Sequence, residues 1–449
     1  MKLAASFVLA LSPFFGAFPA QAQERPVQHL GELQPRVNAA IDLGVERLLE
    51  LQNRDGSWGC ELLEPVPHFD RRNGETALVV YTLRKCRVSA DHPALQRALV
   101  FLEGSFPTHN YSISTQLLAL DSVGDPARFK ERIPELAQAL IGNRIRNEGV
   151  WGYPNHAGVY VDLSNTQYAA LGLRAAAHSG FKVPKEVWSG LVEGVLAFQE
   201  TPKEIDAVAA DGKSTTGRRE VAGFGYTPGE REAPTASMTA AGISILGLAR
   251  EGLAKDLTPP VARQIERAQR AGLAWLEREF SVEGNPRGPG AWHFYWLYGL
   301  ERVGALLQLE RIGEHDWYRE GAAQLVREQK ENGEWRTGGP VAWPAEPIPT
   351  SNTCFALLFL TKATAPSSGG DSAVATSWAA ESPEHPVWLR ASGRARVSAW
   401  ISGFAPGTVE AWGHGEGSAA ALRIDKVEFL VDGALTRTID VDVLAPWKG

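Results

Sequence analysis

The chain has 449 residues with 45 Lys and Arg against 52 Asp and Glu, a formal net charge of −7, and no dense basic run. That charge balance supplies no footprint for a phosphate backbone, so nucleic acid is excluded as a partner. The three cysteines, Cys60, Cys86 and Cys354, are too few and too widely spaced for a disulfide framework or a zinc module, so neither a metal nor a cofactor is expected.

Met1 and Lys2 precede an apolar run from Leu3 that closes on Ala20-Gln21-Ala22. This order predicts a secretory signal over 1–22, and with it export to the periplasm or beyond. Pro13 and Pro19 interrupt a run already short for a bilayer, and no later segment is long and apolar enough to span one. From Pro35 a helical pattern (Ile41, Val45, Leu48, Leu49) runs into Leu51-Gln52-Asn53-Arg54-Asp55-Gly56-Ser57-Trp58-Gly59. The same arrangement returns late, where Ala322, Ala323, Leu325 and Val326 precede Glu328-Gln329-Lys330-Glu331-Asn332-Gly333-Glu334-Trp335. Asp55-Gly56 and Asn332-Gly333 stop these helices, since Gly enters the left-handed region at low cost. Weaker copies are Glu148-Gly149-Val150-Trp151 and Gly290-Ala291-Trp292. A variant, Gly223-Phe224-Gly225-Tyr226, follows Gln199 after a polar insertion from roughly Thr201 to Val221.

After each turn the pattern predicts a second helix, low in charge, opening on a small polar or aromatic group. The six openings are Glu75-Thr76-Ala77, Ser114-Thr115-Gln116, Asn165-Thr166-Gln167, Met238-Thr239-Ala240, His293-Phe294-Tyr295-Trp296 and Asn352-Thr353-Cys354. The Thr or Ser is expected to cap free backbone N–H groups. Little charge beyond the opening marks a helix with neighbours on most sides, whereas amphipathic stretches such as Val261 to Ala268 belong on an outer wall. Six outer and six inner helices over 35–363 predict a mainly α protein, an (α/α)6 toroid. The competing open solenoid requires polar end caps, and the last unit, with Phe355, Leu357, Leu358, Phe359 and Leu360, is strongly apolar.

The Gln-to-Trp turn with its Gly, and the paired helices, resemble the repeats of squalene–hopene and oxidosqualene cyclases and the toroid of protein prenyltransferase β subunits. The resemblance covers about Pro35 to Ala363 and implies a ligand cavity at the N-terminal ends of the inner helices. The cyclases use the third residue of Asp-x-Asp-Asp-Thr as acid. Asp162-Leu163-Ser164-Asn165-Thr166 matches only the ends of that motif, and the Ser164 hydroxyl cannot protonate an alkene. The transferases hold zinc partly through a His that His293 resembles, but Thr235-Ala236-Ser237-Met238-Thr239 offers no carboxylate or thiolate ligand. The Gly-Cys-Gly-Glu-Gln run of thioester proteins of the same fold is absent. A closed ring sets Cys60 and Cys354 at one end of adjacent repeats; a clasp between them and three free thiols are both open.

The candidate catalytic carboxylates are Asp162, Glu75 and Glu301, with helix capping as the other reading of Asp162. The candidate ligand contacts are Ser164, Asn165, Thr166, His293, Tyr295, Tyr298 and Asn352. For His293 the alternative is a buried polar residue among aromatics; Tyr295 and Tyr298 either line a cavity or fill the space between helices. Three functions stay open. The first is a binding toroid for a small apolar molecule or a glycan, with no intact catalytic motif. The others are an isoprenoid cyclase or transferase with a rearranged acid, and a polysaccharide lyase or glycoside hydrolase. From Ala363 the composition predicts a flexible linker over 364–384. Strand patterns at Val387–Leu389, Ala395–Ile401 and Val427–Val431, with a turn at Asp432-Gly433, then predict a small all-β domain over 385–449 that resembles bacterial immunoglobulin-like modules.

Overall fold

The computed structural model describes residues 32–59, 71–145, 148–153, 161–208, 215–229, 232–337 and 349–364, and tail strands within 395–446. The signal segment 1–22, Cys60 and the Asp432-Gly433 turn lie outside the described residues. Twelve α-helices are described, alternating between two roles. The outer set is α1 (Leu33–Glu50), α3 (Pro93–Glu103), α5 (Arg132–Gly142), α7 (Lys185–Leu196), α9 (Pro259–Glu279) and α11 (Trp317–Glu328). The inner set is α2 (Arg71–Lys85), α4 (Asn110–Val123), α6 (Leu163–His178), α8 (Ala236–Leu253), α10 (His293–Leu306) and α12 (Pro349–Leu360). Each inner helix packs on the next, and α12 packs back on α2, so the inner layer is a closed ring. The chain is mostly helical, with the α/α toroid arrangement that the repeats predict.

Burial separates the two layers as the charge pattern requires. On α9, Ile265, Ala268, Ala271, Trp275 and Leu276 are buried while Arg263, Arg267 and Arg270 are exposed. On α6, by contrast, thirteen of sixteen residues are buried. Such a helix cannot stand alone in water and is stabilised by its neighbours.

The Gln and Trp of each turn are spent on backbone. Gln52 Nε2 donates to Gly56 O (2.9 Å) within its own turn and to Ala94 O (2.7 Å) on α3. Gln329 Nε2 makes the corresponding bond to Ala40 O on α1 (2.8 Å), which ties the last repeat to the first. Arg47 adds a bond from Nε to Glu334 Oε1 (2.8 Å) across the same seam. The indoles of Trp58, Trp151 and Trp335 donate to the carbonyls of Leu48, Leu140 and Leu325, satisfying orphan acceptors at outer-helix ends. The opening threonines act differently from the caps expected of them. Thr76, Thr166, Thr239 and Thr353 accept the backbone N–H of Trp58, Trp151, Phe224 and Trp335, so each ties a turn to its inner helix. Gly149 shows how tight these turns are: its φ is +71°, and a Cβ there would lie 2.1 Å from Gly190 O.

Three local expectations change. The turn between α3 and α4, which ends α3 at Gly104, carries no Trp and was invisible to the motif. Trp292 belongs to a 3-10 turn at the head of α10 and is not a repeat Trp. The polar insertion forms an antiparallel hairpin, β1 (Lys203–Val208) with β2 (Thr215–Val221), laid against α9. In the tail, β3 (Ala395–Val397), β4 (Val409–His414), β5 (Gly417–Ser418), β6 (Ala421–Val431) and β7 (Ala434–Pro446) pair antiparallel, with β6 bonded to β4, β5 and β7.

Candidate functional site

The N-terminal halves of the inner helices surround the ring axis. On α6 the residues Ser164, Tyr168 and Leu171 keep 8, 4 and 5 % of their surface, while Thr166, Gln167, Ala169, Ala170 and Leu173 between them keep none. Tyr81 on α2, Tyr295 on α10 and Phe355 on α12 retain similar traces of exposure. The axis is therefore closely packed with side chains that keep only traces of exposure, and hydroxyls and amides are frequent among them.

Tyr111 donates to Ser164 Oγ (2.7 Å), and Ser164 Oγ bonds the Tyr295 hydroxyl at 2.8 Å. The Tyr295 hydroxyl donates to Gln167 Oε1 (2.9 Å), and so does Arg302 Nη2 (2.9 Å). Tyr295 thus reaches from α10 past α8 to α6. It stacks on Tyr168 at 6.4 Å and meets Phe355 edge-on at 5.7 Å. Tyr298 stacks on Phe355 at 6.0 Å and lies under the Arg302 guanidinium, 4.1 Å from its ring. Both tyrosines are buried and fill the space between the inner helices. Burial pushes the Tyr295 hydroxyl up to about 12, so it stays a neutral donor and acceptor at neutral pH. Arg302 is fully buried and no carboxylate pairs with it among the described residues.

The three candidate carboxylates are not gathered in one place. Asp162 is the N-cap of α6: its Oδ1 accepts Asn165 N (2.7 Å) and its Oδ2 accepts Asn165 Nδ2 (2.8 Å). Burial pushes it up to about 6, against the pull of those bonds and of the Tyr226 hydroxyl. Glu301 accepts Thr364 N (2.9 Å) and Thr364 Oγ1 (2.7 Å), so it anchors the chain leaving α12. Glu75 stands on the first turns of α2 with 8 % exposure, its carboxyl against Gly59 in the first Trp turn.

The remaining candidates divide between rim and frame. Ser164 belongs to the axis network, and Asn165 serves Asp162. Thr166 accepts Trp151 N and donates to Asp162 O, which makes it part of the frame. His293 Nε2 lies 3.2 Å from Glu328 Oε2 on α11, between the layers, with its ring edge against Phe294. Asn352 is buried in the first turn of α12. Sequence reasoning missed Gln167, Arg302, Tyr111, Tyr168 and Tyr81, because on an all-buried helix nothing in the pattern separates the axis from the neighbouring helices. Cys354 is a buried thiol, raised above its ordinary range by burial, and its expected partner Cys60 lies outside the described residues. Among the described residues no group of three His, Cys, Asp or Glu could hold a metal ion, and no helix is long and apolar enough to cross a membrane.

No family model matches the chain, and no curated protein matches it. Among solved structures it is similar to a possible member of the GH105 family from Salmonella enterica serovar Paratyphi A. That match has 12 % identity and a TM-score of 0.44, and covers 79 % of this chain and 98 % of that one. A possible GH105 member from Klebsiella pneumoniae matches at 14 % identity and a TM-score of 0.48, over the same shares of the two chains. These findings correct the assignment to the squalene-cyclase and prenyltransferase family: no family model supports it, and both neighbours are described as possible members of a different family. The physical reason lies in the turns. Gln and Trp there bind backbone carbonyls and report how helix pairs are joined in a ring, independent of the chemistry at its axis.

Proposed function

We propose that the ring is a carbohydrate-active enzyme of the glycoside hydrolase or polysaccharide lyase class, taking a glycan at its N-terminal mouth. The observation that carries this reading is the bonded chain Tyr111–Ser164–Tyr295–Gln167 at the ring axis. Sugar hydroxyls exchange with such groups bond for bond, whereas a hydrocarbon can replace none of these bonds and gains nothing from opening the network. Glu75, at the rim, is the carboxyl assigned to meet the substrate as acid or base. Asp162, held by the Asn165 backbone and side-chain N–H groups, the Ser164 N–H and the Tyr226 hydroxyl, positions the α6 opening that presents Ser164.

The test is a panel of neutral and acidic glycans, read for new reducing ends and for the ultraviolet absorbance of an unsaturated product. Glu75→Gln is expected to lower kcat/KM by about 100-fold or more with an unchanged melting temperature. The reading is lost if no glycan is cleaved, or if Glu75→Gln cleaves as fast as the parent. We extend the same proposal to the termini: export with removal of 1–22, so that the mature chain starts at Gln23, and a linker over 364–384 carrying an immunoglobulin-like appendage over 385–449. Intact-mass measurement of the exported protein tests the first of these.

A further inference from the structure

We propose that the outer wall of the ring carries a second site, for an acidic polysaccharide, in the cleft between β2, α9 and the segment Leu309–Gly313. The cleft has a volume of about 490 Å³, and five arginines reach it: Arg218 and Arg219 from β2, Arg267 and Arg270 from α9, and Arg311. It shares no residue with the network of Tyr111, Ser164, Tyr295 and Gln167.

Three carboxylates answer these five cations. Arg218 pairs with Glu204 at 2.8 Å, Arg219 with Glu277 at 2.6 Å, and Arg267 with Glu220 at 2.7 Å through Nε. Arg311 spends one Nη on the carbonyl of Glu314, and Arg270 makes no hydrogen bond or ion pair among the described residues. The Nε of Arg219 is shielded from solvent and has no acceptor. Five arginines and two carboxylates, Glu220 and Glu277, thus line one cleft on a molecule whose formal net charge is −7. The Arg218–Glu204 and Arg267–Glu220 pairs are exposed, and such pairs contribute at most about 1 kcal/mol, so an incoming anion displaces them at little cost; Arg219–Glu277 is half-buried.

The residue type and the floor together select the ligand. All five cations are arginine, whose planar fork binds carboxylate and sulfate oxygens two at a time. Ala271, Leu273 and Ala274 form an apolar floor between them, which suits the faces of sugar rings. A nucleic acid is a poorer match, since duplex binding commonly neutralises about 6–10 phosphates and this cleft presents five arginines, three of them already paired. The choice of a glycan rests on the carbohydrate reading of the ring, and the charge argument for an anionic polymer stands apart from it. A polymer held on the wall would keep its chain near the mouth and raise the effective concentration of cleavable units there.

Affinity electrophoresis in gels cast with polygalacturonate, chondroitin sulfate or dextran tests the site without any turnover. The parent protein is expected to be retarded by one or both acidic polymers, less so as salt rises, and not by dextran. The gel that retards it distinguishes carboxylate from sulfate recognition. Arg270→Glu/Arg311→Glu is expected to weaken that retention by about tenfold or more, and Arg270→Gln to weaken it less. Near-ultraviolet circular dichroism checks folding. If the double variant is misfolded, the single exposed Arg270→Glu replaces it. Glu75→Gln, altered only at the mouth, is expected to bind as the parent does, so loss of catalysis and loss of this site are read separately. The proposal is overturned by a parent that neither acidic polymer retards, by an Arg270→Glu protein retarded equally, or by tighter binding to duplex DNA than to either glycan.

Discussion

Glu301 and Asp162 are both buried carboxyls on inner helices, and their partners give them different work. Asp162 caps a helix, a use legible in the sequence from the small polar residues that follow it. Glu301 holds Thr364, a contact across 63 positions that no local pattern announces. Burial raises Glu301 to about 7, whereas the same carboxyl in an unfolded chain titrates near about 4.3. The native state therefore keeps a proton that the unfolded state has released. The stabilisation is complete below about pH 4 and is lost as pH rises through about 7, to the extent of about 3 kcal/mol. Glu301→Gln, neutral at every pH, should flatten the fall in melting temperature between about pH 5 and 7.5; an unchanged slope in differential scanning calorimetry would show that another group sets it.

At the scale of the element, the turns were the legible part. Asp55-Gly56 and Asn332-Gly333 carry the left-handed glycines, with φ of +89° and +85°, that a helix exit favours. Two other glycines separate conformation from packing. Gly124 has a φ of +74° with open space around it, and Gly149 a φ of +71° against Gly190 O. Gly124→Ala should cost only about 1 kcal/mol, the left-handed penalty alone. Gly149→Ala should cost more than about 2 kcal/mol, because the turn must also move off α7. Urea unfolding of the two variants measures the difference, and equal costs would mean that the turn at Gly149 yields freely. The β1–β2 hairpin was not legible, since its strands are polar and it becomes a hairpin by lying against α9.

For the whole molecule the seam is decisive. Packing of α12 on α2, the Gln329 bond to Ala40 and the Arg47 bond to Glu334 join residues nearly 290 positions apart. Removing 317–364 should strip one face from both α2 and α10 and abolish the single cooperative unfolding transition, because every inner helix depends on two inner neighbours. Circular dichroism melts check this; a sharp transition in the shortened chain would mean that the remaining helices fold as an open array. By itself the sequence determined the helix pairs, the turns that carry the Gly and Trp signature and the layer each helix joins, because periodicity and backbone conformation are local properties. It could not determine which side of a buried helix faces the axis, since α6 is apolar or satisfied on almost every side. Only the closed ring decided that Ser164, Gln167, Tyr295 and Arg302 meet, because their contacts join helices remote in the chain. The family resemblance failed for the same reason: the turn residues are chosen by backbone geometry, while the chemistry belongs to side chains that tertiary packing alone brings together.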